Sequence, residues 1–274
     1  MDTLNETKNT YSLLWQQSDS AVPQRWHFNA MQEVVPEPIV RGKIGIEVGS
    51  GCGYDTYIMA KANPAVKLIS IDISDGIYNT ARLVRGLGNV MAIKCSALNI
   101  AVKGSSLDFA YSFGVLHHTQ DPKRGVLEIA RVLKKGAPVF LYLYEDHSEN
   151  AIKHALLKIV TAVRRLTTRI PKKVLYVFSW ILSPFVFIFF TLPAKLMNNF
   201  KATKHIAEAM PFNFGTGLFS LRGDLYDRFG APIEYRFSRK DISAMLTECG
   251  FSNISITRLR NTAGWVSWGY KNCE

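Results

Sequence analysis

Four cysteines, Cys52, Cys95, Cys249 and Cys273, are spread over 274 residues, and no two share a CxxC spacing. That scarcity excludes a disulfide scaffold and a thiolate zinc centre, and it fits a reducing compartment. No metal site is expected. The first residues, MDTLNETKNTYSLLWQQ, lack both a basic start and an apolar run, so no secretory signal is read there. There is no internal repeat and no low-complexity tract. Acidic residues are missing altogether between residues 151 and 206, where ten basic residues fall. The chain carries 33 basic against 22 acidic residues, a formal charge of +11, so nearly all of the excess belongs to that one segment. With 47% hydrophobic and 20% charged residues the chain can bury a core, which excludes disorder throughout. Its length suits one large domain or one domain carrying an insertion.

From Lys43 the pattern becomes regular. KIGIEVG reads as a buried strand, YDTYIMAKAN as a helix ending near Asn63, and VKLISID as a second strand followed by a helix through Ile77 to Leu87. VMAIKC and LDFAYSFG are a third and fourth strand. Asp121-Pro122 opens a helix that ends at Gly136, and PVFLYLY is a fifth strand. Strands alternating with helices predict a parallel sheet covered on both faces. Near the end, Ser238 is placed to cap a helix running to Gly250. SNISITRL and AGWVSWGYK are then two strands joined by a turn at Arg260-Asn261. The expected fold is therefore α/β: a Rossmann-like, seven-stranded, mostly parallel sheet with a terminal antiparallel hairpin and a helical amphiphilic insertion after strand five. The expected organisation is an N-terminal cap or lid over 1–40, a cofactor-binding core over 41–147, an insertion with substrate-side elements over 148–237, and a sheet-completing end over 238–274.

The richest stretch is IGIEVGSGCGYDT, Ile44 to Thr56, in which a strand enters a loop with Gly49, Gly51 and Gly53 before a helix begins. Glycines there let backbone approach a ligand, and the helix start offers free N–H donors. A dinucleotide fold would show GxGxxG. Here the spacing is GxGxG, and Glu47 stands two residues before the first glycine. A carboxylate at that position repels a pyrophosphate but not a sulfonium or an ammonium group. Asp72, ending the second strand, can accept two ribose hydroxyls. Sulfonium, ammonium and ribose together describe S-adenosylmethionine.

In EVGSGCG, SIDIS, DFAYSFGVLHHT and EIARVLKKGAPVFLYLYED, the chain resembles the class I S-adenosylmethionine-dependent methyltransferases, especially the group that includes ubiquinone and menaquinone biosynthesis enzymes. The resemblance covers Lys43 to Asp146 closely and the last 35 or so residues loosely. It implies Gly49, Ser50, Gly51 and Gly53 near the methionine part of the cofactor and Asp72 with Ile73 at the ribose. Glu47 would support the loop and the ammonium end. Ser112 and Phe113 close the set at the end of strand four. The family often has an Asp after strand three to take the adenine amino group. This chain has Ser96, so Ser96 and the backbone of Ala97 are the adenine candidates.

SFGVLHHT leaves the fourth strand at the carboxyl edge, where open α/β sheets hold ligands. His117 is the candidate general base for an O-methylation, with packing beside the cofactor as the plainer alternative. His118 and Tyr144 are substrate candidates at the same edge. Tyr226, Arg228 and Tyr235, in RGDLYDRFGAPIEYRFS, are further substrate candidates, with a solvated, ion-paired loop as the plainer reading. RWHF, Arg25 to Phe28, is a candidate lid.

Within 151–206, Ile152, Leu156, Ile159, Val160, Val163 and Leu166 recur at helical spacing among cations, the pattern of a helix on an anionic membrane. Val174 to Ala194 then runs 21 residues without a charge, long enough to span a bilayer. A single crossing would put strand five and the last two strands on opposite sides of the membrane, although all belong to one sheet. Pro184 is expected to break the run into two arms, giving a shallow hairpin or paired interfacial helices. The expected function is methyl transfer from S-adenosylmethionine to a small amphiphilic or lipid-linked acceptor. The expected location is cytoplasmic, peripheral to the inner face of a membrane. One alternative is a soluble O-methyltransferase of a sugar or natural product with the insertion as a pocket cap. Another is a membrane-associated cofactor binder without turnover. Nucleic acid is not expected as a partner, because the cations alternate with long aliphatics and no aromatic-lined polar groove is apparent.

Overall fold

A computed structural model of the chain describes residues 3–16, 27–210, 212, 218–259 and 264–273. Among them, seven strands form one sheet in the order β3-β2-β1-β4-β5-β7-β6. These are β1 (Ile44–Val48), β2 (Lys67–Asp72), β3 (Val90–Lys94), β4 (Phe109–Phe113), β5 (Pro138–Tyr144), β6 (Phe251–Arg258) and β7 (Gly264–Lys271). Every pair from β3 to β5 is parallel, and β7 runs antiparallel to both β5 and β6. The architecture expected from the sequence is the one observed. Arg25 and Trp26 of the candidate lid, and the Arg260-Asn261 turn, lie outside the described residues.

The parallel strands are sealed on both faces, and side-chain alternation decides what each face contains. Along β5, Val139, Leu141 and Leu143 join an aliphatic layer with Ile46, Val126, Ile129 and Ile242. Phe140 and Tyr142 point the other way, into an aromatic layer with Phe28, Met59, Phe109 and Tyr111. Helices α2 (His27–Val34) and α3 (Tyr54–Ala62) contribute to the aromatic side. Helices α5 (Pro122–Val132) and α11 (Arg239–Glu248) contribute to the aliphatic side. Asp121 accepts the Arg124 N–H at the start of α5, with Pro122 in the first turn. Ser238 and Asp241 close a reciprocal capping box on α11. Helices α1 (Thr3–Gln16) and α4 (Gly76–Leu83) complete this unit.

The chain divides into two compact units, one ending at Ser148 and resuming at Ile233, the other spanning Glu149–Pro232. The first unit is pinned shut where the second leaves and returns. Phe237 N–H donates to the Tyr144 carbonyl at 2.9 Å, and Asp146 N–H donates to the Phe237 carbonyl at 3.1 Å.

The insertion contains α6 (Ala151–Thr167), α7 (Lys172–Val186), a π-helical turn (Phe187–Thr191), α8 (Leu192–Met197), α9 (Lys204–Ala209) and α10 (Leu218–Gly230). Two expectations are corrected here. Pro184 does not break the apolar run: helix continues from Lys172 to Met197, 26 residues. The proline removes the N–H that would have reached the Trp180 carbonyl, and the Ser183 hydroxyl donates to that carbonyl instead, at 3.0 Å. The second correction concerns Arg222 to Gly230, which is not a solvated loop but the body of α10. Leu221, Leu225 and Tyr226 are buried, and the Arg222 guanidinium lies over the rings of Tyr176 and Trp180 on α7. The C-terminal carbonyls of α10 are taken by side chains of the insertion. Arg164 donates to Arg228 and Ala231, Thr167 to Phe229, and Lys172 to Gly230. Two of the ten cations are therefore a cap for a helix C-terminus, where positive charge is favoured.

Candidate functional site

At the carboxyl edge of β1 the backbone folds into a cradle. Gly49, Gly51 and Gly53 all hold positive φ (87°, 54° and 90°), a region that side chains with a Cβ rarely occupy. The turn is anchored from β2, whose Ile71 carbonyl accepts from both Gly49 and Ser50. The Ser50 hydroxyl meets that of Thr80 on α4 at 3.2 Å. Within the loop, the Cys52 thiol is buried and pushed up to about 12, so it stays protonated and is no nucleophile.

Asp72 closes the cradle from the end of β2. Its Oδ2 accepts the Gly51 N–H at 2.8 Å, and its Oδ1 accepts both the N–H and the hydroxyl of Ser74. Burial pushes its carboxyl above the ordinary value, and these three donors oppose that shift. The residue is only half-buried, and Oδ2 has spent one of its two lone pairs. The remaining lone pair of Oδ2 can accept one further hydrogen bond. Ile73, next in the chain, is half-buried as well.

Glu47 faces the other way. Its carboxyl is buried, accepting from Thr56 on α3 and from Ser70 on β2. Burial, with Asp55 nearby, raises it to about 8. At neutral pH the group is thus largely uncharged and ties β1 to its neighbours beneath the loop. Its side chain is turned into the interior. Ser112 is also internal, its hydroxyl donating to the Val48 carbonyl at 2.8 Å and joining β4 to β1. Ser96 lies just beyond β3 and accepts the Leu98 N–H at 3.1 Å, with Ala97 half-buried beside it.

The next stretch of the edge is aromatic. Phe113, at the end of β4, is stacked between His27 (4.3 Å) and Tyr142 (4.2 Å). Tyr144 carries His117 on its face at 3.8 Å, and His117 touches His118 at 4.2 Å. Both histidines are buried in a short 3₁₀ turn, Leu116–His118. His118 Nδ1 lies 2.7 Å from the Ile233 carbonyl. A carbonyl only accepts, so Nδ1 carries the proton and Nε2 the basic lone pair. His117, the candidate named from sequence, lies directly beside His118.

Of the other substrate candidates, Tyr226 and Arg228 belong to the insertion. Tyr226 is fully buried edge-on to Tyr176, and Arg228 lies over the Phe212 ring. Tyr235 belongs to the sheet unit, half-exposed, with its N–H on the His117 carbonyl and its hydroxyl on that of Gln120. Two of the three thus fall in one unit and the third in the other.

One feature escaped sequence reasoning. Gly114 has φ 75°, and a Cβ added there would meet nothing within 4 Å, so the backbone borders open space at the carboxyl edge. A glycine directly after an aromatic strand end was the available signal. Helix α1 covers the glycine loop. A Cβ on Gly51 would come within 2.9 Å of the Trp15 ring, Ser12 accepts the Asp75 N–H, and the Trp15 carbonyl accepts from Asn79. Tyr11 of the same helix reaches His118 at 5.4 Å. Nothing in its local sequence distinguishes α1 from a surface helix.

Residues 46–141 match the family described as a methyltransferase domain. The tRNA (carboxymethyluridine(34)-5-O)-methyltransferase of Saccharomyces cerevisiae is 35% identical over 106 residues, 38% of this chain and 36% of its own length. The tRNA U34 carboxymethyltransferase of Campylobacter lari is 28% identical over 130 residues, 46% of this chain and 43% of its own. The chain thus spans less than half the length of these curated relatives. Both are named for tRNA modification, an acceptor class not expected from the interleaving of cations with long aliphatics in 151–206. A SAM-dependent methyltransferase from Aquifex aeolicus shares the fold, with a TM-score of 0.53 at 12% identity, over 95% of this chain and 97% of that one.

Proposed function

Because residues 46–141 form a methyltransferase domain of the S-adenosylmethionine-dependent class, we propose that the chain methylates an amphiphilic acceptor presented at the cytosolic face of a membrane. The observation that carries the transferase reading is the half-open Asp72 carboxylate beside a left-handed glycine loop, with open space at Gly114 on the same sheet edge. S-adenosylmethionine supplies an electrophilic methyl group when bound. The chain's own residues supply the rest. Asp72 offers a lone pair to a ribose hydroxyl, and the Gly49–Gly53 backbone allows close approach. Ser96 and Ala97 are the candidates at the base, with Ile73 and Ser112 flanking. The Phe113–Tyr142 stack, with Tyr144 edge-on to Tyr142, lines the edge with aromatic surface and keeps water from the reacting groups. For a hydroxyl acceptor, His118 Nε2 takes the proton, and the bond from Nδ1 to Ile233 holds the ring in the tautomer that can do so.

The amphiphilic acceptor is supported by the unbalanced cations and exposed apolar side chains of the insertion. The similarity to tRNA-modifying enzymes supports RNA as the rival acceptor, but it spans 106 and 130 residues, a length close to that of the cofactor domain. The test is calorimetry with S-adenosylmethionine, followed by S-adenosylhomocysteine release with lipid extract, soluble metabolites or tRNA as acceptor. Release with lipid extract alone is expected. Release with tRNA or soluble metabolites alone replaces the acceptor, and cofactor binding without release from any of them leaves a binder.

A further inference from the structure

The insertion is built inside out. Helix α7 turns Leu175, Ser179, Ser183 and Val186 inward, at spacings of four, four and three, and it packs on α10. Ser179 and Ser183 are each only 4% exposed, whereas Trp180 is 57% and Phe189 of the following π-helical turn 65% exposed. Two small polar residues share the inward face with Leu175 and Val186, while most of the large apolar side chains face out. Water selects the reverse arrangement, and lipid selects this one, because small residues let helices approach and apolar side chains cost nothing in hydrocarbon. Helix α6 repeats the inversion. Ile152 is 74% exposed and Leu166 67%, and Leu156, Ile159 and Val163 continue the exposed stripe between them.

Charge completes the description. Arg164 and Lys172 are committed to the end of α10, and the remaining cations between 151 and 206 are all exposed, with no acid among them. A second copy of this chain would bring the same unbalanced charge to a shared interface. An anionic leaflet neutralises each one.

The 26-residue helix is about 39 Å long at 1.5 Å per residue, enough to cross a hydrocarbon core of about 30 Å. Connectivity forbids it. Strand β5 precedes the insertion, β7 follows it, and the two pair along their length from Pro138–Tyr270 to Tyr144–Gly264. Both ends of the insertion must lie on one side, yet among the described residues no second helix is long and apolar enough to return. Lysines at both ends, Lys172 and Lys195, agree with one-sided placement.

We propose that residues 149–232 are a monotopic docking unit that lays α6 and the Lys172–Met197 helix in the plane of an anionic bilayer, apolar faces down and cations at the headgroups. The proposal rests on the amphiphilic-acceptor reading for its purpose, but its test does not depend on methyl transfer. Full-length protein is floated with phosphatidylcholine vesicles with and without phosphatidylglycerol. Association is expected to be at least about tenfold stronger with phosphatidylglycerol and to fall with salt. The double variant Phe185→Asp/Phe189→Asp is expected to lose association about tenfold or more, with unchanged melting and unchanged S-adenosylmethionine binding. Bromine-labelled acyl chains should quench tryptophan emission in the wild type and much less in Trp180→Phe. Absence of flotation overturns the proposal. So does flotation that the charge variant leaves intact, or an oligomer in solution that the variant dissociates while no vesicle is bound. Loss of cofactor binding with flotation preserved would instead remove the transferase reading and leave the docking unit standing.

Discussion

In the sheet unit, Trp265, Phe109 and Phe140 are sealed between layers, whereas in the insertion Trp180, Phe185 and Phe189 face outward. Charge divides the same way. In the sheet unit acids and bases meet: the buried Glu128 holds Arg131 at 2.8 Å, and Glu145 holds Arg258 at 2.6 Å. In the insertion the stretch from 151 to 206 holds ten cations and no acid. Both regions are rich in helix and in aromatic residues. Besides charge, they differ in which side of each helix the large apolar residues occupy.

Paired substitutions sharpen this contrast. Trp265→Ala should remove about 3–5 kcal/mol of stability, measured by denaturant unfolding, since the ring is sealed and its N–H donates to the Phe237 carbonyl. Trp180→Ala should change the same measurement in detergent-free buffer by no more than about 0.5 kcal/mol. Equal losses from both would erase the distinction between the units.

A smaller effect separates the cations. Arg164→Ala should loosen the end of α10 by about 2–3 kcal/mol, seen as faster amide exchange there, because two carbonyls lose a charged donor. Arg165→Ala, one position along and exposed, should leave exchange unchanged while weakening vesicle association. Within the sheet unit, Asp72→Ala should reduce S-adenosylmethionine affinity about 10- to 100-fold by calorimetry. Unchanged affinity would detach the ribose from this residue.

The gentlest test uses pH. The Glu47 carboxyl is raised in the folded state from about 4.5 to about 8, so its contribution to stability is fully present below about 4.5 and is lost as pH rises through about 8. Wild-type stability should therefore decline between these values, and Glu47→Gln should flatten that decline. A slope unchanged by the substitution would mean that another group sets it.

Much of the sheet was legible because its signals are local. Strand β5 begins and ends where PVFLYLY does, the glycine spacing marks the loop, and Ser238 with Asp241 announces the start of α11. What escaped was made by partners far away in sequence. Pro184 reads as a breaker until Ser183 is seen to serve the orphaned carbonyl. Arg222 to Gly230 reads as a polar loop until Tyr176 and Trp180 receive Arg222, and Arg164 and Lys172 cap the end. The hydrogen bonds from Thr56 and Ser70 to Glu47 join residues 9 and 23 positions apart and leave no local signal. The same holds at the sheet edge, where the partner of His118 is the Ile233 carbonyl, 115 residues away in sequence.

The backbone clasp between Tyr144, Asp146 and Phe237 has a consequence for how such a chain can change over generations. It closes the loop at a fixed neck inside the sheet unit, and the entropy of closing a flexible loop grows only logarithmically, by about 0.6 kcal/mol for each doubling of length. A segment of any size can thus be carried at that neck with little effect on the pairing of β5 with β7. The clasp itself lies wholly within the sheet unit. The segment can be exchanged, shortened or rebuilt while the clasp stays as it is.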